Sequence, residues 1–122
     1  MSTVQLGTAD FERTITENHI VFVDFWAAWC GPCRQFAPVF EKAAIDHPDL
    51  VFAKVDTEVE QALAASAHIT SIPTLMAFKD GTLVFSQPGA LPAAALEQLI
   101  AAVEDLDVEQ ARRDAAEQNR SA

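Results

Sequence analysis

Ile20-Val21-Phe22-Val23-Asp24-Phe25-Trp26 is an almost unbroken run of β-branched and aromatic side chains. Such a run lacks the alternation of a half-exposed strand and predicts a central strand buried on both faces. Val51-Phe52-Ala53-Lys54-Val55 predicts another strand, and Val4-Gln5 a short first one. Residues 74–78 and 83–86 flank Lys79-Asp80-Gly81-Thr82, whose Asp-Gly pair signals a hairpin. Elsewhere the apolar period lengthens to that of a helix. Thr8 is a candidate N-cap for a helix through Asp10-Phe11-Glu12-Arg13-Thr14-Ile15. Over residues 34–46, Phe36, Val39, Phe40 and Ala43 share one side, with Pro38 expected to kink the helix. Residues 60–67 read as a short alanine-rich helix. Residues 91–106 read as a final amphipathic one, with Leu96, Leu99, Ile100 and Val103 on its apolar face.

Strands and helices alternate early, and a hairpin and helix follow. Alternation implies parallel strands joined by helices, and the hairpin adds antiparallel ones. The expectation is a small three-layer α/β domain with a mixed sheet. Sites in such folds lie beyond the carboxyl ends of the strands. The 122 residues suffice for one domain, and half are hydrophobic, so a core can form without staples. The formal charge is −10 and the basic residues are scattered, which argues against nucleic-acid partners and for a soluble chain. The first ten residues carry no basic start or apolar run, and no stretch is long enough to span a bilayer. A protein of a reducing compartment, the cytoplasm, is expected.

Directly after the most buried-looking strand stands Trp29-Cys30-Gly31-Pro32-Cys33, holding the only two cysteines. Thiols this close bond to each other or to one shared atom. Gly31 is expected to let the chain turn tightly, and Pro32 suits a first helical position. A helix N-terminus stabilises a thiolate at Cys30, so Cys30 would attack a substrate disulfide and Cys33 resolve the mixed disulfide. Zinc needs four ligands. His47 follows Cys33 at a finger-like spacing, but the next histidine, His68, is too distant to complete a set. An inert staple closing so small a ring would contribute only about 2 kcal/mol. Redox exchange is the favoured reading. A module that binds partners independently of redox is the rival from another class.

Phe25-Trp26-Ala27-Ala28-Trp29-Cys30-Gly31-Pro32-Cys33, Ser71-Ile72-Pro73-Thr74 and Gly89-Ala90-Leu91 together resemble the thioredoxin family. The likeness runs from about Thr8 to Leu106, and the full pentapeptide followed by Ile-Pro-Thr is far more specific than a bare Cys-x-x-Cys. It implies the thioredoxin fold, a central mixed five-stranded sheet flanked by four helices, over a domain of residues 1–106. The implied activity is a general protein-disulfide reductase with no bound cofactor, its redox group being the Cys30–Cys33 pair. Protein disulfides and a thioredoxin reductase would be its partners, and a monomer its state. The resemblance also implies a cis peptide before Pro73; sequence alone favours a plain strand-entry proline. The Ile72 backbone would then hydrogen-bond a substrate chain.

Further roles carry over residue by residue. Asp24, an acid in a buried strand, should have a raised pKa. The resemblance places it behind Cys33 as an aid to deprotonation, with Lys54 nearby. A mid-strand Lys54 is also free to snorkel outward. Trp29 is expected to be partly exposed, forming an apolar collar with Gly31, Pro32, Ile72, Pro73, Gly89 and Ala90 that marks a partner surface. Three positions depart from the family: Pro88 for a β-branched residue, Ala67 for an aromatic, and His68 for a small residue. They bear on partner choice rather than on the chemistry. Residues 107–122 hold one large apolar side chain, Val108, among many charges. A frayed helical extension or a disordered tail is expected there, and nothing specific marks it for docking.

Overall fold

The computed structural model describes residues 2–121. Its elements run β1 (Thr3–Gln5), α1 (Phe11–Glu17), β2 (Ile20–Trp26), α2 (Gly31–Asp46), β3 (Val51–Asp56), α3 (Gln61–Ser66), β4 (Thr74–Lys79), β5 (Thr82–Pro88), α4 (Ala93–Asp105) and α5 (Val108–Ser121). The strands form one sheet in the order β1-β3-β2-β4-β5. β1, β3 and β2 are parallel; β4 runs antiparallel to β2, and β5 to β4. This is the expected mixed five-stranded sheet.

β2 lies at the centre of the sheet, and Val21, Phe22, Val23, Asp24 and Phe25 have no exposed surface. The strand alternates between two cores. Phe22 packs with Phe36 and Phe40 of α2 and Leu96 and Ile100 of α4. Val21, Val23 and Phe25 pack on the other side with Ile15 of α1 and Leu63 of α3. Phe22 stacks on Phe52 at 5.2 Å between ring centres, and Phe40 meets Phe52 edge-on at 5.4 Å. Burying each such ring contributes about 2–3 kcal/mol, which makes this layer the anchor of the sheet. The hairpin turns at Asp80 and Gly81, whose φ angles of 52° and 77° are those of a two-residue primed turn.

Two local expectations change. Thr8 is not the first N-cap. Asp10 holds that position, but its Oδ1 accepts from the Gly7 N–H at 2.9 Å and makes no cap bond. Thr8 bonds instead to Glu60, with its N–H donating to Oε1 at 3.0 Å. α2 begins at Gly31 and continues through Pro38, taking both cysteines of the motif to its N-terminus.

The described residues hold five helices: four within residues 1–106, as expected, and a fifth in the segment for which a helical extension or a disordered tail was expected. Asp107 Oδ1 accepts from the Gln110 N–H at 3.1 Å at the start of α5, and Val108 is buried. The buried Lys79 ammonium donates to the carbonyls of Val103, Glu104 and Leu106 at 2.7–2.9 Å. It thus ties the end of α4 and the junction with α5 to the sheet. Arg112 adds a bond to Thr82 Oγ1. None of the described helices is long and apolar enough to cross a membrane.

Candidate active site

The strand ends deliver the motif to one edge of the sheet. After β2 the chain bends, and the Cys30 N–H donates to Ala27 O at 3.2 Å. Cys30 is the N-cap of α2, with extended backbone, and its carbonyl accepts the first helical bond from the Arg34 N–H. Cys30 and Cys33 are joined as a disulfide with Cα atoms 5.2 Å apart. The Cys33 N–H donates to Cys30 Sγ at 3.2 Å. A sulfur held there faces the unpaired N–H groups and positive dipole end of the helix, the setting that lowers a thiol's pKa once the disulfide opens.

The two sulfurs are not equivalent. Both residues are buried, but Cys30 lines an open groove of about 630 Å³ together with Trp29, Gly31, Pro32 and Ile72, whereas Cys33 does not. Gly31 does not take the positive φ that a tight turn would need. A side chain there would meet only Arg34 Nη2, at 4.0 Å. Glycine's effect is therefore to keep the surface low beside Cys30. Pro32 sits in the first turn of α2, as expected.

Opposite the motif, the Ile72–Pro73 peptide is cis. Cys30 Sγ lies 3.7 Å from the Ile72 carbonyl oxygen. The Gly89 N–H donates to Pro73 O at 2.7 Å, and Gly89 has φ of 107°, where glycine is strongly favoured. Ala90 follows it, exposed. Pro73 is buried, so its contribution to a collar is the shape of its loop rather than open surface. Trp29 is 65% exposed, as expected of a collar residue. Pro88 pairs with Thr74 at the exposed end of β5, and His68, at φ of 58°, is exposed on the loop leading to Ile72.

Asp24 lies in the middle of β2, level with Lys54 on one side and Leu75 on the other. A central strand offers no bulge or edge through which it can reach water. It shares the sheet face of Phe22, the face that α2 covers, because alternate residues point the same way. Neither carboxyl oxygen has a hydrogen-bond partner. Burial raises its pKa from 3.8 to about 7, against the opposing pull of the Lys54 charge. Lys54 does not swing free, since its ammonium lies 4.7 Å from the centre of the Trp26 ring.

Two residues that the sequence did not single out belong to the site. Glu58 Oε1 accepts the Trp29 indole N–H at 2.9 Å, and Arg34 Nη1 donates to Ala28 O at 2.9 Å. Topology is the signal that would have located Glu58, because the β3–α3 turn must lie at the same sheet end as the motif. His47, the zinc candidate, meets Glu97 at 2.8 Å, away from the cysteines.

Comparison with known proteins agrees with this geometry. The family model described as Thioredoxin matches residues 2–102. A Streptomyces coelicolor protein carrying the provisional name thioredoxin 2 is 53% identical over 121 residues, covering 99% of this chain and 90% of its own. Thioredoxin 1 of Synechococcus elongatus is 47% identical over 90 residues, covering 72% of this chain and 84% of its own. Among solved structures, a mutant thioredoxin from Halobacterium salinarum aligns with a TM-score of 0.78 at 34% identity, over 86% of this chain and 93% of its own.

Proposed function

This chain belongs to the thioredoxin family and is a thiol–disulfide oxidoreductase, and from that premise we propose that it is a general protein-disulfide reductase, with Cys30 as nucleophile and Cys33 as resolving thiol. The observation that carries the reading is the asymmetry of the pair: Cys30 at the helix N-cap lines the open groove, and Cys33 stands behind it. In the reduced protein, the Cys30 thiolate attacks one sulfur of a target disulfide. A mixed disulfide forms, and the first target thiolate leaves. Cys33 then loses its proton and attacks Cys30 Sγ. The Cys30–Cys33 bond forms, and the second target thiolate departs. Two electrons pass to the target, and both of its thiolates take up protons.

Asp24 is the proton acceptor behind Cys33 in this cycle. A carboxyl with a pKa of about 7 can both take and return a proton at neutral pH. Lys54 tempers that pKa from the neighbouring strand. Trp29, Gly31, Pro32, Ile72, Pro73, Gly89 and Ala90 form the docking surface, where the Ile72 backbone receives an extended segment. No bound cofactor takes part. The protein works as a monomer in the cytoplasm, and a thioredoxin reductase returns the disulfide to the dithiol.

Direction of transfer is decided by potential. Reference values are ~−270 mV for thioredoxin and ~−180 mV for protein disulfide isomerase, a difference of about 4 kcal/mol for two electrons. Equilibration of the Cys30–Cys33 couple with glutathione is expected to give a potential near the first value. A potential near the second would make the protein an oxidant or isomerase and remove the reductase assignment.

A further inference from the structure

Two charged side chains are held beside the docking groove by its rim, outside its lining. On the α3 side stands Glu58, exposed, with its carboxylate on the Trp29 indole N–H at 2.9 Å. On the α2 side stands Arg34, exposed, anchored at Ala28 O and lying over Gly31. The lining of the groove itself, which includes Cys30, Thr57, Gln61, Ala65 and Ile72, carries no charge. A carboxylate that accepts one indole N–H keeps its negative charge and further lone pairs. Trp29, 65% exposed, also offers an aromatic surface beside that charge. An apolar ring next to a carboxylate suits a long cationic side chain, whose stem lies on the ring while its head meets the oxygen. The net charge of −10 further favours the approach of basic segments.

Resting on the reductase reading above, we propose that Glu58 determines substrate specificity: it selects protein disulfides whose attacked cysteine is flanked by lysine or arginine on the side that lies along Trp29 and Gln61.

The test uses two disulfide-bonded peptides that differ only in one flanking residue, arginine or glutamate, with kcat/KM measured for each. The natural protein is expected to prefer the arginine peptide about fivefold at low ionic strength, the size of one exposed charge pair. In about 1 M salt the preference should fall to near parity. Glu58→Gln keeps an oxygen for the indole N–H but removes the charge. It should also bring the ratio near parity, with Trp29 fluorescence unchanged, and Glu58→Lys should reverse it. A preference that survives in Glu58→Gln or in high salt overturns the proposal, as does equal reduction of both peptides by the natural protein. Reduction of neither peptide overturns the reductase reading, and this proposal with it.

Discussion

Replacing Cys30 with serine will abolish insulin-disulfide reduction, lowering the rate at least about a thousandfold. The chemistry starts with one nucleophile. Sulfur at the N-cap of α2 receives the Cys33 N–H and lines the groove that a target must enter. A serine hydroxyl there is not ionised at neutral pH and forms no disulfide, so neither step of the exchange proceeds. Cys33 does not substitute for it, because Cys33 is not among the residues lining the groove. The fold should tolerate the change, since the core is supplied by Phe22, Phe36, Phe40 and Phe52 rather than by the disulfide. Insulin turbidity measured beside a thermal melt separates lost chemistry from lost structure. Full activity in the serine variant would leave only a redox-independent binding role for the groove.

The second large effect concerns Asp24. Asp24→Asn is expected to slow resolution of the mixed disulfide about tenfold near pH 7. The deficit should vanish by about pH 9, where a thiol ionises without help. The same substitution should stabilise the fold. In the folded protein, burial raises the carboxyl pKa from 3.8 to about 7. Between these values the unfolded chain releases the proton while the folded one retains it, so this group makes stability fall as pH rises. The loss is complete above about pH 7 and absent below about pH 4, where both states are protonated. A pKa displacement of that size corresponds to about 4 kcal/mol, an upper figure for the gain in Asp24→Asn at pH 8. Urea unfolding at pH 4 and pH 8 reads the stability effect, and stopped-flow Trp29 fluorescence reads the resolution rate. Equal resolution rates from pH 6 to 9 would remove Asp24 from the cycle. Equal stability gains at both pH values would show that the carboxyl is not held protonated by burial.

Much of this is legible in the sequence, for identifiable physical reasons. β2 declares itself because nearly every residue from Ile20 to Trp26 is apolar, and only a central strand buries both faces. Asp24 stands out because it is the one acid in that run, so burial and the raised pKa follow together. The Asp80-Gly81 turn is visible because few residues accept two positive φ angles in succession. The cis bond before Pro73 came only from family likeness, since local sequence leaves both isomers open.

What escaped depends on partners distant in the chain. Thr8 looks like a cap, but its N–H and hydroxyl go to Glu60, which the β3–α3 turn brings alongside. Gly31 looks like a turn residue, but α2 already starts there. Residues 107–122 show little to bury, and what positions α5 comes from the hairpin, where Lys79 holds the α4–α5 junction and Thr82 meets Arg112. Glu58 and Arg34 carry no motif. Their relevance appears only when the Trp29 indole and the Ala28 carbonyl are seen between them.

The assignment of the attacking and resolving sulfurs is tested most directly by mass spectrometry of single-cysteine variants mixed with a peptide disulfide. Cys33→Ser is expected to accumulate a one-to-one mixed disulfide on Cys30, and Cys30→Ser to remain unmodified over the same time. A stable adduct on Cys33 in Cys30→Ser, with none on Cys30 in Cys33→Ser, would contradict the account.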